Sequence, residues 1–130
     1  MVAFFSALGT KQDYTPSPDD LNDTILRIYR EGIILIARDG QQSPVGLIAG
    51  QFCTHQFNTD VRVLTEVAWW IPEASRGQGV GSLLLKQFLA EGHGRGLTTV
   101  VSLEHNSPLP KGYLEKYGMR LAEKTYILEA

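Results

Sequence analysis

The amino-acid sequence predicts a mixed α/β fold in which three antiparallel strands lead into a β-α-β crossover on one sheet. Three observations predict it. Apolar, β-branched runs at 33–38, 45–55 and 61–71 are joined by short turn-rich links, the pattern of successive antiparallel strands. A broad apolar stripe at helical spacing follows from Gly79 to Glu91. Directly after it comes a buried-type run, "TTVVSL" at 98–103, which returns the chain to the sheet.

The elements follow in order. "YTPSPDD" at 14–20 is rich in breakers, and Ser17 with Pro18 supplies cap and first-turn chemistry for a helix with an apolar stripe of Leu21, Ile25, Ile28 and Tyr29. Gly32 ends that helix. "IILIAR", the turn "DGQQSP" and "VGLIAGQFCTH" then read as a hairpin, and "QFNTD" leads to the third strand. In the second helix, positions 80, 83, 84, 85, 88 and 89 are apolar and Gly92 is the expected stop. After the fourth strand, "SPLPKGYLEKYG" reads as a short helix begun by proline and ended by Gly118, and "RLAEKTYILEA" as a final strand.

A length of 130 residues suits one domain spanning the whole chain. The composition is 43% hydrophobic, and no apolar run approaches the ~20 residues of a membrane span, so no membrane partner is expected. The start, "MVAFFSALGT", has no basic leader or long apolar block, which argues against a secretory signal and for a cytoplasmic setting. Net charge is -2 without a basic block, leaving little to grip nucleic acid phosphates. His55, His93, His105 and Cys53 share no metal-ligand spacing, so no metal is expected. The single Cys53 is expected to be a buried, inert thiol.

The segment "RGQGVG" at 76–81 carries the functional signal. Three glycines between a strand and a helix imply a sharp turn or a close approach to the backbone. A helix N-terminus offers unpaired N–H groups and a partial positive charge, and a glycine turn before it makes an anion site suited to phosphate. Tight packing of helix on sheet accounts for one such glycine better than for three. The dinucleotide fingerprint G-x-G-x-x-G fails because Ser82 stands at the third glycine and "PEAS" with Arg76 separates the strand from the loop. No Gly-Lys-Ser/Thr follows, which excludes a Walker-type loop.

Arg76, Gly79 and Gly81 fill the three fixed places of the pattern Arg/Gln-x-x-Gly-x-Gly/Ala. With "WWIPEAS" before it, a leucine-rich helix after it and the later "LEKYGM", the chain from about Ile33 to Tyr126 resembles the GNAT superfamily of N-acetyltransferases. The resemblance implies the GNAT-type acyl-CoA N-acyltransferase fold, with splayed central strands. It also implies transfer of an acetyl group from acetyl-CoA to a primary amine by direct attack. The amine could be a small molecule or belong to a protein, and a homodimer is left open. A second class keeps the fold as a binding or assembly module with catalysis weak or lost.

The resemblance further assigns roles to residues. The coenzyme A diphosphate would rest on the amides of Arg76, Gly77, Gln78, Gly79, Val80, Gly81 and Ser82. Trp70 and Ile71 would make main-chain contacts to the pantetheine arm, with Asn106 contacting it from the other side. Glu66 is either the base that deprotonates the amine through water or a half-buried carboxylate paired with Arg62; strict alternation puts 62, 64, 66, 68 and 70 on one face. The tyrosine that serves as general acid falls, counted back from Gly118, on Leu114, so Tyr113 is the first candidate and His105 the second. Tyr117, His55 and His93 are assigned to packing or surface.

Overall fold

The structure is a computed structural model and describes residues 17–104, 107–126 and 128. Helix α1 spans Pro18–Glu31, capped by the Ser17 hydroxyl, which accepts from the Asp20 amide at 3.2 Å. Three strands follow: β1 (Gly32–Arg38), β2 (Pro44–His55) and β3 (Asn58–Trp70), all antiparallel. Helix α2 (Val80–Gly94) crosses over to β4 (Thr98–Val100), which pairs parallel to β3. The sheet order is β1-β2-β3-β4, an open mixed sheet as the periodicities predict.

The two links are tight. Asp39 accepts from the amides of Gln41 and Ser43 at 2.8 and 2.9 Å, closing the first turn around Gln42 at φ 65°. His55 pairs with Asn58, so the second link is two residues rather than "QFNTD", and β3 begins three residues before the expected 61.

The core lies on both faces of the sheet. On one face Ile28 of α1 packs with Leu47, Ala49 and Ala68; on the other Leu84 and Phe88 of α2 pack with Ile48 and Leu64. Two glycines in β2 let α2 settle onto the sheet. A Cβ at Gly50 would lie 2.6 Å from the Phe88 ring, and one at Gly46 would lie 2.6 Å from Ile71. Gly92 does the same at the far end, against Thr99, so it belongs inside α2 and the helix ends three residues later than the expected Glu91.

Several expectations change. In α1 Ile28 is buried and Leu21 and Ile25 are half-buried, whereas Tyr29, expected in the stripe, is 78% exposed. In α2, Leu83 is 63% exposed while Leu85 is buried. Cys53 is exposed on β2, its thiol 3.4 Å from the Thr65 hydroxyl, because α1 does not extend over the distal end of the hairpin. The run 98–103 forms only three residues of strand. "SPLPKGYLEKYG" is a set of turns with one 3-10 turn at Glu115–Tyr117, since Pro110 and the left-handed Gly112 interrupt helical bonding. The described residues after Gly118 form no strand; Tyr126 and Leu128 are exposed there.

Filling the Gly50 notch tests the packing. Gly50→Ala should cost about 1–3 kcal/mol in urea unfolding, because the new methyl meets Phe88 and Leu64. Phe88→Leu, made in the same chain, should recover part of that loss, whereas purely additive costs would place the conflict elsewhere.

Candidate functional site at the strand fork and the head of α2

A bulge in β3 sets the first half of the site. Ala49 pairs with Ala68 and Gly50 with Glu66, so Val67 is an extra residue. Side-chain alternation therefore slips. Leu64 faces α2 and Ala68 faces α1, and the expected single face of 62, 64, 66, 68 and 70 does not exist.

Beside the bulge the sheet opens. β4 pairs with β3 only at Val63–Thr65 and ends at Val100, leaving residues 66–70 of β3 without a strand neighbour on that side among the described residues. Glu66 stands in this fork and its carboxylate accepts from the Ser102 amide at 3.4 Å. Burial pushes its pKa up to about 7, with the Ser102 amide pulling weakly the other way. The alternative pairing with Arg62 is not formed: Arg62 instead donates to the Arg95 carbonyl at 2.7 Å.

The second half is the head of α2. The chain leaves β3 through Ile71 and a 3-10 turn at Glu73–Ser75, and Arg76 donates from Nε to the Ile71 carbonyl at 3.0 Å. The Arg76 amide is spent on the Glu73 carbonyl at 3.2 Å, which removes it from the expected cradle. Gly77 and Gly79 adopt φ of 79° and 81°, and a Cβ at either would meet nothing within 4 Å. Packing therefore explains neither; the turn needs left-handed backbone and leaves open space above it.

Gly79 caps α2 without a side-chain bond, and the first turn carries no acidic residue. The first helical bond runs from the Leu83 amide to the Gly79 carbonyl, so the amides of Val80, Gly81 and Ser82 point out of the helix end. A dianionic group suits this set of donors.

Trp69 and Tyr113 wall this head. The buried indole Nε1 of Trp69 has no hydrogen-bond partner, and it lies 4.0 Å from where a Cβ on Gly81 would be. The Tyr113 ring sits 6.4 Å from Trp69, and its hydroxyl bonds the Ser82 hydroxyl. Tyr117, assigned to packing or surface from the sequence, lies with its ring centroid 5.6 Å from that of Tyr113, the planes tilted by 56°. Burial raises the Tyr113 pKa, while hydrogen bonding to Ser82 and Tyr113 draws Tyr117 below the ordinary tyrosine value.

The structure thus brings Gly77–Ser82, Trp69, Ile71 and Tyr113 to one corner. Glu66 lies three residues back along β3 from Trp69, roughly 10 Å at the rise of a strand. Trp70 faces the α1 side, against the cluster of Ile28 and Leu47. His105 and Asn106 lie outside the described residues. His93 is exposed in the last turn of α2, and His55 accepts from the Phe57 amide at 3.2 Å. Trp69 and Tyr117 were not singled out from the sequence; the i, i+4 spacing of Tyr113 and Tyr117 was the signal available for the second. Among the described residues no group of three or more His, Cys, Asp or Glu could hold a metal, and no helix is long and apolar enough to cross a membrane. A cleft of about 640 Å³ lined by Phe52, Arg62 and Arg95 lies at the other end of α2, away from the glycine loop.

Comparison with known proteins agrees with this fold. No curated protein sequence matches the chain. Among solved structures, a transcriptional regulator from Bacillus halodurans C-125 is similar with a TM-score of 0.78 at 20% identity, over 100% of this chain and 91% of that one. A putative acetyl transferase from Pyrococcus furiosus gives 0.67 at 16% identity over 99% and 92%. The ribosomal-protein-alanine N-acetyltransferase from Brucella melitensis biovar Abortus 2308 gives 0.70 at 18% identity over 99% and 85%. These likenesses show a shared fold. The acetyltransferase (GNAT) family model matches residues 3–119, and with nine-tenths of its length inside that match the chain belongs to the GNAT acetyltransferase family.

Proposed function

We propose that this acyltransferase moves an acetyl group from acetyl-CoA to a primary amine by direct attack, with Glu66 as general base and Tyr113 as general acid. The observation that carries the reading is a half-buried carboxylate at the strand fork, in line along β3 with an uncapped helix head. Acetyl-CoA supplies the activated acyl group and a thiolate leaving group.

The residues divide the work. The outward amides of Val80, Gly81 and Ser82 would bind the diphosphate, with Gly77, Gln78 and Gly79 giving it room. Ile71 and Trp70 carry main chain past the open edge, where the pantetheine arm would run. Glu66, with a pKa near working pH, can take the amine proton, directly or through one water, and still be ionised often enough to do so. Tyr113, whose burial keeps its proton on, can hand it to the departing sulfur. The acceptor is a small-molecule or protein amine. A homodimer, a cytoplasmic setting and the roles of His105 and Asn106 stay with this proposal as expectations from the sequence analysis.

Release of free thiol from acetyl-CoA across a panel of amines tests the activity. Glu66→Gln should lower kcat by about 10²–10⁴ and abolish the fall in rate below pH 7. A passive binding module would be stabilised by acetyl-CoA in thermal unfolding and release no thiol with any amine.

The coenzyme's place is tested by charge. Gln78 is exposed between two left-handed glycines, so Gln78→Glu adds an anion beside the cradle without backbone strain. Its Kd for coenzyme A in titration calorimetry should rise by about tenfold, about 1.4 kcal/mol. An unchanged Kd would move the diphosphate elsewhere.

Glu66 also links stability to pH. Its folded pKa, about 7, lies above the ordinary glutamate value of 4.5, so the folded state holds the proton more tightly than the unfolded chain. Its contribution is complete below about 4.5 and is lost as pH rises through about 7. Glu66→Gln should therefore gain about 3 kcal/mol relative to the parent between pH 4 and pH 8.5. Urea unfolding at the two pH values measures it, and equal differences at both would contradict a raised Glu66 pKa.

A further inference from the structure

The reaction just proposed uses one of three hydroxyls that meet at the head of α2. Tyr113 bonds the Ser82 hydroxyl, and Tyr117 packs against Tyr113 with ring centroids 5.6 Å apart and planes at 56°. Both tyrosines come from one compact turn. The Tyr113 amide donates to the Pro110 carbonyl, the Tyr117 amide to Leu114, and the Gly118 amide to Glu115, so the turn presents its phenols to α2 without help from a regular helix. Gly112 and Gly118, at φ of 81° and 84°, close it at both ends.

We propose that the Ser82 hydroxyl joins Tyr113 to Tyr117 in a three-hydroxyl relay that returns a proton to Tyr113 after each acetyl transfer. Ser82 and Tyr117 are then positioning residues for Tyr113, and the inference rests on Tyr113 being the general acid.

The proton balance closes. The Tyr113 O–H bond breaks as the S–H bond of the leaving thiol forms, which leaves a phenolate. Ser82 gives its proton to that oxygen and takes one from Tyr117, whose phenolate recovers a proton from solvent. Nothing is oxidised or reduced, and the net change is thiolate plus solvent proton to thiol.

The environment gives the relay a direction. Tyr113 is walled by Trp69 at 6.4 Å and is the weaker acid of the two. Tyr117 is made the stronger acid by hydrogen bonds to Ser82 and Tyr113 and, less, by the charges of Lys86 and Lys116. Lys116 also places its Nζ 4.8 Å from the Tyr113 ring centroid. A proton offered by Tyr117 therefore moves downhill to a Tyr113 phenolate.

Phenolate absorbance during alkaline titration of the full chain reads the array without any acceptor. The parent protein should show one phenol ionising ahead of the others; Tyr117→Phe should remove that step, and Ser82→Ala should return it to the ordinary range. In the thiol-release assay, Ser82→Ala and Tyr117→Phe should each lower kcat by about tenfold with KM for acetyl-CoA unchanged, and Ser82→Thr should restore it. Tyr113→Phe should lose about 10²-fold or more. If Tyr113→Phe is impaired while the Ser82 and Tyr117 variants keep parental kcat, the relay is wrong and the general acid stands. Full activity in Tyr113→Phe overturns both.

Discussion

The seating of α2 on the sheet is the constraint from which the candidate site follows. Gly46 and Gly50 remove side chains where Ile71, Val80, Leu84 and Phe88 must pass, and Gly92 clears the far end against Thr99. With three close approaches along one helix, neither its height nor its rotation over β2 and β3 has much freedom. That fixes the helix head beside Trp69 and Ile71, and with it the direction in which the amides of Val80, Gly81 and Ser82 point.

A second constraint works at the sheet. The extra residue in β3, Val67, breaks the ladder next to Glu66, and β4 stops after three pairs, so the strands separate where the carboxylate sits. A buried carboxylate is costly unless something holds it or it keeps its proton. Here one backbone amide, from Ser102, partly offsets that cost and the rest appears as a raised pKa. The fork and the helix head share strand β3, and that shared strand is what lets the proposal place a base at one and an anion cradle at the other for a single extended ligand.

Much of this was legible in the sequence. The antiparallel strands, the crossover helix and the Ser17 cap rest on short-range pattern, and the backbone follows it. The glycine loop was legible too, although for a partly different reason. Gly77 and Gly79 are required by left-handed backbone, while Gly81 would meet only ordinary contacts. The bulge was not legible, because no residue type at 66–68 demands it; pairing with Ala49 and Gly50 does. Nor was the turn at 110–118, where a proline and two glycines override a helical pattern of apolar residues.

By itself the sequence determined the order of elements and the glycine turn before α2, since those depend on local periodicity and residue type, and its resemblance to a family nominated Glu66 and Tyr113 as candidates. Only the tertiary structure decided which way they face. The phase slip in β3 put Leu64 and Ala68 on opposite faces, Arg62 turned to the Arg95 carbonyl instead of Glu66, exposed Cys53 lay beyond the reach of α1, and the bond between Ser82 and Tyr113 joined residues 31 positions apart. Such contacts are set by the packing of whole elements against one another, and a chain read residue by residue contains no term for it.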